Sequence, residues 1–292
     1  KNMISWGILG TGMIARALAV SMQDSRGSQL KAVASRSIEK AEKFSEKYDC
    51  SALEGYENLF NDIEIDAIYV ATPHDSHFDL TLAALKAKKS VLCEKPMTLN
   101  STEAMVLIEA ARENDVLLME AFMYRTHPQT DKIRELVKEE FKDIPITIEA
   151  SFGFSAQVPE EHRLVNPELG GGSIMDIGCY PMSMARMIVG VQKGKRFLNP
   201  IGIEAEGELT SRGIDLNASA KLTFDNGSKA LISSALNKSL KNSVLITNKK
   251  KSIYVSEPWQ CGEQNNHQSQ IIFKKKGKED QAIDFKEDKG VF

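Results

Sequence analysis

Four stretches carry residue types that could do chemistry. They are Gly10-Thr11-Gly12-Met13-Ile14-Ala15, Thr72-Pro73-His74-Asp75-Ser76-His77, Glu94-Lys95-Pro96, and a run from Gly170 to Pro181 that holds Asp176 and Tyr180. The first is a G-x-G-x-x-A turn. It follows an apolar run, Met3 to Leu9, and opens an apolar-periodic segment, Ile14 to Met22. In that context Gly10 permits a tight turn, Gly12 lets backbone N–H groups approach a pyrophosphate, and Ala15 keeps the helix near the strand. The helix start adds unpaired donors and a partial positive charge. A dinucleotide fits this arrangement, with Gly10, Thr11, Gly12, Met13 and Ile14 as its cradle.

The residues downstream bear on which dinucleotide. An NAD-type site carries Asp or Glu about twenty residues past the glycines to bind the ribose 2′-OH. Here the position reads Ala34-Ser35-Arg36-Ser37, with no acid before Glu39. Ser35 can donate a hydrogen bond to a 2′-phosphate and Arg36 a charge-assisted one. Lys40, one helical turn on, adds charge. These residues favour NADP over NAD.

The elements that must hold these stretches alternate in type. Strands are expected at Ser5 to Leu9, Leu30 to Ala34, Ile65 to Ala71, Ser90 to Cys93 and Val116 to Met119. Helices are expected at Ile14 to Met22, at Ile38 to Tyr48 behind an Ser37 N-cap, at Phe78 to Ala87, and from Ser101 to Asn114. This order implies a Rossmann-type, doubly wound parallel sheet. Ligands bind such sheets outside the carboxyl ends of the strands. Thr72 and Pro73 end one strand, and Glu94 and Lys95 end the next, so both turns address the crevice of the glycine turn. Thr72, Pro73, His77, Glu94 and Lys95 are therefore further cofactor-side candidates. His77 is expected either to meet the nicotinamide side or to cap a helix.

After Tyr124 the pattern changes. A helix is expected from His127 to Phe141, a strand from Thr147 to Phe154, and a helix from Ser173 to Ile188 after three glycines. Six further strands follow: Ile203 to Thr210, Leu216 to Phe224, Ala230 to Leu236, Val244 to Thr247, Ile253 to Val255 and Gln270 to Lys274. Asp225-Asn226-Gly227 marks a hairpin between two of them. Helices followed by a run of strands read as an α+β domain on a mostly antiparallel sheet. The chain thus divides into a dinucleotide-binding domain, residues 1–124, and a substrate-binding and oligomerisation domain, residues 125–292. A sheet with one open face suggests a homodimer or homotetramer.

Composition excludes several classes. The 292 residues favour two domains. Hydrophobic content of 42% and a net charge of −3 describe an ordinary globular protein without a basic field for nucleic acid or membrane surfaces. The four cysteines form no C-x-x-C pair, which fits a reducing cytoplasm rather than a disulfide or zinc framework. No apolar run reaches the roughly eighteen residues needed to cross a bilayer. No His, Asp or Glu cluster has metal-ligand spacing. Because the chain begins at Lys1, a few residues are expected to precede it.

The ordered motifs A-T-P-x-x-x-H, E-K-P and G-G-G-S-I-M-D-I-G-C-Y-P, after a G-x-G-x-x-A turn, resemble the glucose–fructose oxidoreductase / inositol dehydrogenase (Gfo/Idh/MocA) family. The resemblance runs from Ile4 to Tyr180. The stretch Met119 to Arg125 and the tyrosine at 180 resemble the branch of trans-dihydrodiol dehydrogenases and NADP-dependent xylose dehydrogenases. The resemblance implies hydride transfer between NADP and a CH–OH carbon of a sugar, polyol or vicinal diol, or reduction of the matching carbonyl. Alcohol oxidation needs a base for the hydroxyl proton. A free tyrosine, with a pKa near about 10, is a poor one unless an ammonium stabilises its phenolate. Tyr180 is accordingly assigned as acid/base and Lys95 as its electrostatic partner and substrate orienter, the proton-transferring member of the two being left open. Asp176, which shares a helix face with Tyr180 at i, i+4, is assigned as a hydrogen-bond acceptor fixing either the sugar or Lys95, and that face is expected to close over the crevice. Lys95-Pro96 is expected to be cis, on resemblance alone. His74 and His162 read as solvated, and Arg125 and Arg163 as either substrate residues or domain-interface ion-pair residues. The alternative reading is a non-catalytic NADP-binding sensor. Family members continue into a glycine-containing turn and a C-terminal helix. This sequence stops at Lys289-Gly290-Val291-Phe292, which resembles the start of that segment and suggests a short or missing tail.

Overall fold

The computed structural model describes residues 3–261 and 269–285; Lys1 and the Lys289 to Phe292 end lie outside them. Two compact units are present, one running through Ala121 and one beginning at Phe122.

In the first unit, β1 (Ile4–Leu9), β2 (Ser28–Ser35), β3 (Ser51–Glu54), β4 (Ala67–Val70), β5 (Ser90–Glu94) and β6 (Leu118–Ala121) form one parallel sheet in the order β3-β2-β1-β4-β5-β6. The order reverses between β1 and β4, the point at which doubly wound sheets bind ligands. Both faces are covered, and the side-chain period of two shows it. Ile8, Val33 and Tyr69 enter one buried cluster, while Leu9, Ala34 and Val70 enter the other. That is why these strands read as continuous apolar runs.

The helices of this unit are α1 (Met13–Gln23), α2 (Ile38–Tyr48), α3 (Glu57–Asn61), α4 (His77–Lys86) and α5 (Ser101–Glu113). Ser37 caps α2 as expected, its hydroxyl accepting from the Lys40 N–H. Asn100 caps α5 by accepting from the Glu103 N–H at 2.9 Å, and Glu103 returns a carboxylate to the Leu99 N–H at 3.1 Å. The Rossmann architecture stands as read from the sequence. The short elements β3 and α3 escaped that reading because four and five residues are too few to display a period.

The second unit contains α6 (Pro128–Glu140), β7 (Thr147–Gly153) and α7 (Cys179–Gln192). Its remaining strands are β8 (Gly202–Leu209), β9 (Asp215–Thr223), β10 (Lys229–Ala235), β11 (Val244–Thr247), β12 (Lys251–Val255), β13 (Gln270–Lys275) and β14 (Gln281–Asp284). Its sheet runs β14-β13-β12-β11-β7-β10-β9-β8, antiparallel except for the β7–β10 pair. Asp225-Asn226-Gly227 turns β9 into β10, with Gly227 at φ 80°. The strand β14 was not anticipated: Gln-Ala-Ile-Asp holds a single large apolar residue.

One element differs in kind. The helix expected from Ser173 opens as a π turn, Ile174–Gly178, before α7 begins. Contacts from the sheet accompany the change. Asp215 on β9 accepts from Ser173 Oγ at 2.6 Å and from Ile174 N–H at 2.7 Å. Ser173 Oγ also lies 2.8 Å from Ser234 Oγ on β10. Single π turns often mark functional sites.

The capping geometry of α5 makes a direct prediction. Asn100→Ala should cost about 1 kcal/mol of stability, the usual worth of such a cap. A lowered urea midpoint at unchanged slope is the expected readout.

Candidate active site

The glycine turn is built as its spacing implies. Gly10 has φ 100°, and a Cβ there would lie 2.8 Å from the Ala71 carbonyl oxygen. The position is closed to any other residue. Gly12 is the opposite case. Its φ is −68°, no side chain caps α1, and an added Cβ would meet no heavy atom within 4 Å. The first amides of α1 therefore face open space, as an anion cradle requires.

Beside this turn lies a cavity of about 520 Å³ lined by Thr11, Gly12, Arg16, Lys40, Lys43, Phe44, Lys47 and Tyr48. Of its four cations, sequence reasoning named only Lys40. The missing signal was periodic: Lys40, Lys43 and Lys47 follow i, i+3, i+7 on α2, and Arg16 is one turn past Gly12. Arg36 is exposed at the end of β2. Ser35 is 7% exposed, and its hydroxyl oxygen accepts from the Ser37 N–H at 3.3 Å, leaving its own hydrogen for another partner. A cradle open to added atoms next to a cluster of cations suits a nucleotide carrying several phosphates.

The turns after β4 and β5 are joined. Thr72 and Pro73 lead into a short 3₁₀ turn, His74–Ser76, and then into α4, whose first residue is His77. His77 is fully buried. Its Nδ1 lies 2.8 Å from the Pro96 carbonyl oxygen and its Nε2 2.9 Å from that of Thr72. Its backbone N–H caps the His74–Ser76 turn by donating to the His74 carbonyl, and its ring lies between the turns that follow β4 and β5. Burial pushes its pKa below the usual histidine value, against the pull of the two carbonyls. His74, expected to be solvated, is also buried, with its ring 5.7 Å from that of His77.

The Lys95-Pro96 bond is cis. Glu94 is buried. Its carboxylate accepts from Tyr69 Oη at 2.5 Å and from the Lys95 N–H at 3.3 Å, and burial raises its pKa above the usual carboxylate value. Glu120 accepts from the Met97 N–H at 2.9 Å. Lys95 thus leaves the carboxyl end of β5 on a turn gripped by side chains.

In the second unit, Asp176 is 5% exposed and pairs with Arg163 Nη1 at 3.0 Å. Arg163 is thereby an ion-pair residue within its own unit. Asp176 sits on the π turn, so the α-helical i, i+4 relation to Tyr180 does not apply, although both side chains are buried. Tyr180 is 3% exposed and enclosed by Phe122, Phe152, Trp259 and Tyr124, with ring centroids 5.3 to 5.8 Å away. Three of these contacts are edge-to-face, an arrangement that fixes a ring's orientation. Arg125 lies over the Phe122 ring and donates to Ser183 Oγ. His162 is exposed, as expected. Among the described residues no group of His, Cys, Asp or Glu could hold a metal ion.

Fold and glycine turn together define a protein that binds a dinucleotide on one unit and carries an α+β unit after it. A model of the oxidoreductase family with NAD-binding Rossmann fold matches residues 4–122, and the GFO/IDH/MocA C-terminal domain matches 130–254. The chain belongs to this family. It is 36% identical over 244 residues to a trans-1,2-dihydrobenzene-1,2-diol dehydrogenase of Xenopus laevis, covering 82% of this chain and 72% of the relative. It is 32% identical over 232 residues to a D-xylose 1-dehydrogenase (NADP(+)) of Haloferax volcanii, covering 79% and 69%. A 3-ketoreductase from Actinomadura kijaniata, solved with NADP and TDP-benzene, superposes with a TM-score of 0.83 at 25% identity, covering 98% of this chain and 85% of that one.

The two glycines separate folding from binding. Gly10→Ala should lower the melting temperature by several degrees, because it costs about 1–2 kcal/mol at a left-handed position and adds a clash. Gly12→Ala should melt like the parent yet bind a dinucleotide at least about tenfold more weakly, since its Cβ enters the phosphate approach. Thermal melting and a fluorescence titration with NADPH check both.

Proposed function

We propose that the protein is an NADP-dependent oxidoreductase that moves a hydride between the nicotinamide and a CH–OH carbon of a sugar, polyol or vicinal diol. The observation that carries this reading is the shared edge. The glycine turn after β1 and Lys95 after β5 leave the carboxyl end of one parallel sheet, the first at its switch point and the second one strand beyond β4. The relatives' names support the cofactor and the substrate class.

Bound NADP supplies the hydride acceptor. The chain supplies the rest. Arg36 and Lys40, with Arg16 and Lys43 beside them, hold a 2′-phosphate, and residues 10–14 hold the pyrophosphate. Thr72, Pro73 and Glu94 shape the wall on the nicotinamide side. When the carbinol C–H bond breaks and the C=O bond forms, the hydroxyl proton passes to a base. Lys95 and Tyr180 are the proton-handling residues, and Asp176 accepts a hydrogen bond from a substrate hydroxyl. Charge on Lys95 favours a phenolate or an alkoxide, either of which lowers the barrier to hydride departure.

In the second unit β8 is exposed along nearly its whole length, and Ile201, Ile203, Leu209 and Leu231 are exposed on this part of the sheet. Strand β8 ends the sheet as an uncovered edge, and that edge supports a homo-oligomer built on this sheet. Light scattering should give at least twice the chain mass, and a monomer at micromolar concentration would refute this.

Two substitutions test the catalytic reading. Lys95→Ala should lower kcat by about a hundredfold or more while NADPH affinity stays within about threefold. Arg36→Ala should weaken NADPH by about tenfold and NADH hardly at all. Retained turnover in the first variant, or equal losses for the two nucleotides in the second, contradicts the assignment.

A further inference from the structure

We propose that His77 is the positioning residue for Lys95, an inference that rests on the catalytic reading of Lys95 above. Backbone groups lose their ladder where strands end. At β5 the Lys95 N–H goes to Glu94, the Met97 N–H to Glu120, and the Met97 carbonyl receives the Cys93 thiol. These partners belong to β5 itself or to the next strand, β6. The Pro96 carbonyl is served differently. It meets a ring borne by α4, and the same ring's other nitrogen meets Thr72 at the end of β4.

A single side chain of zero exposure therefore spans both turns. The turn carrying Lys95 is held in register with the turn beside the switch point. The neutral ring carries one N–H, so it donates to one of the two carbonyls and packs against the other, whereas an apolar residue of the same size would pack there and donate to neither. The backbone of Lys95 is fixed one peptide away from that contact. A lysine on a four-carbon stem gains its reach from this anchor, and a shift of about 1 Å at a reacting group costs on the order of a hundredfold in rate.

Because His77 has no exposed surface, it touches neither substrate nor nucleotide. It acts through Lys95, and a thermodynamic cycle exposes that. Steady-state kinetics on the full chain with NADP+ and the diol or sugar that the wild type oxidises would compare His77→Ala, Lys95→Ala and the double variant. His77→Ala should lower kcat by about thirty- to a hundredfold, with NADPH binding within about threefold. The double variant should be no slower than Lys95→Ala alone, because the two residues act as a unit. His77→Asn, whose amide still donates one hydrogen bond, should recover at least about a tenth of wild-type kcat. If His77→Ala does not fold, His77→Asn takes its place in the cycle with the same non-additivity expected. A His77 variant with wild-type kcat, or losses that multiply in the double variant, overturns the proposal while leaving the function intact. A wild type inert toward every diol and sugar removes the function and this role together, and is seen before any variant is made.

Discussion

A parallel strand that stops leaves its last amides and carbonyls without a ladder, and the proposed site depends on how they are satisfied at the carboxyl edge. After β1 a glycine at φ 100° turns the chain so tightly that α1 starts with open N–H groups. After β5 the turn is closed by carboxylates, a thiol and an imidazole in place of backbone. One edge thus offers an anion cradle and a rigidly based lysine. The reversal of strand order between β1 and β4 leaves the crevice that both can address.

The second unit meets a related demand by packing. Ser173 and Ile174 are drawn to Asp215, and the helix they open begins as a π turn. Asp176 is thereby delivered to Arg163, and Tyr180 to a box of four aromatic rings. Such a ring has few alternative orientations, which suits the proton-handling role proposed for Tyr180. The same packing means that Tyr180 contributes to the core as well as to any chemistry, so substituting it tests both at once.

Much of the fold was legible because burial writes itself into period. Strands β1, β4 and β5 are apolar on both faces, and Ser37 precedes α2 as a cap should. The glycine turn and Ser35-Arg36 carried the nucleotide reading for the same local reason. What stayed hidden depends on distant partners. Nothing near Ser173 announces Asp215, forty-two residues away, so the π turn was invisible. Likewise the placement of the His77 ring stayed hidden, because its two carbonyl partners come from different turns. Arg163 and Asp176, thirteen residues apart, declared a pair only once the loop was folded. Strand β3 and helix α3 were missed for want of length.

The measurement that bears most directly on the account is the reduced-nicotinamide absorbance of the wild-type chain mixed with NADP+ and a panel of trans-dihydrodiols and aldoses, and run in reverse with NADPH and the matching carbonyls. The account predicts turnover with NADP(H) that exceeds turnover with NAD(H) for at least one member of the panel. Tight NADPH binding without turnover in either direction would contradict it and leave a nucleotide-binding protein that does not catalyse.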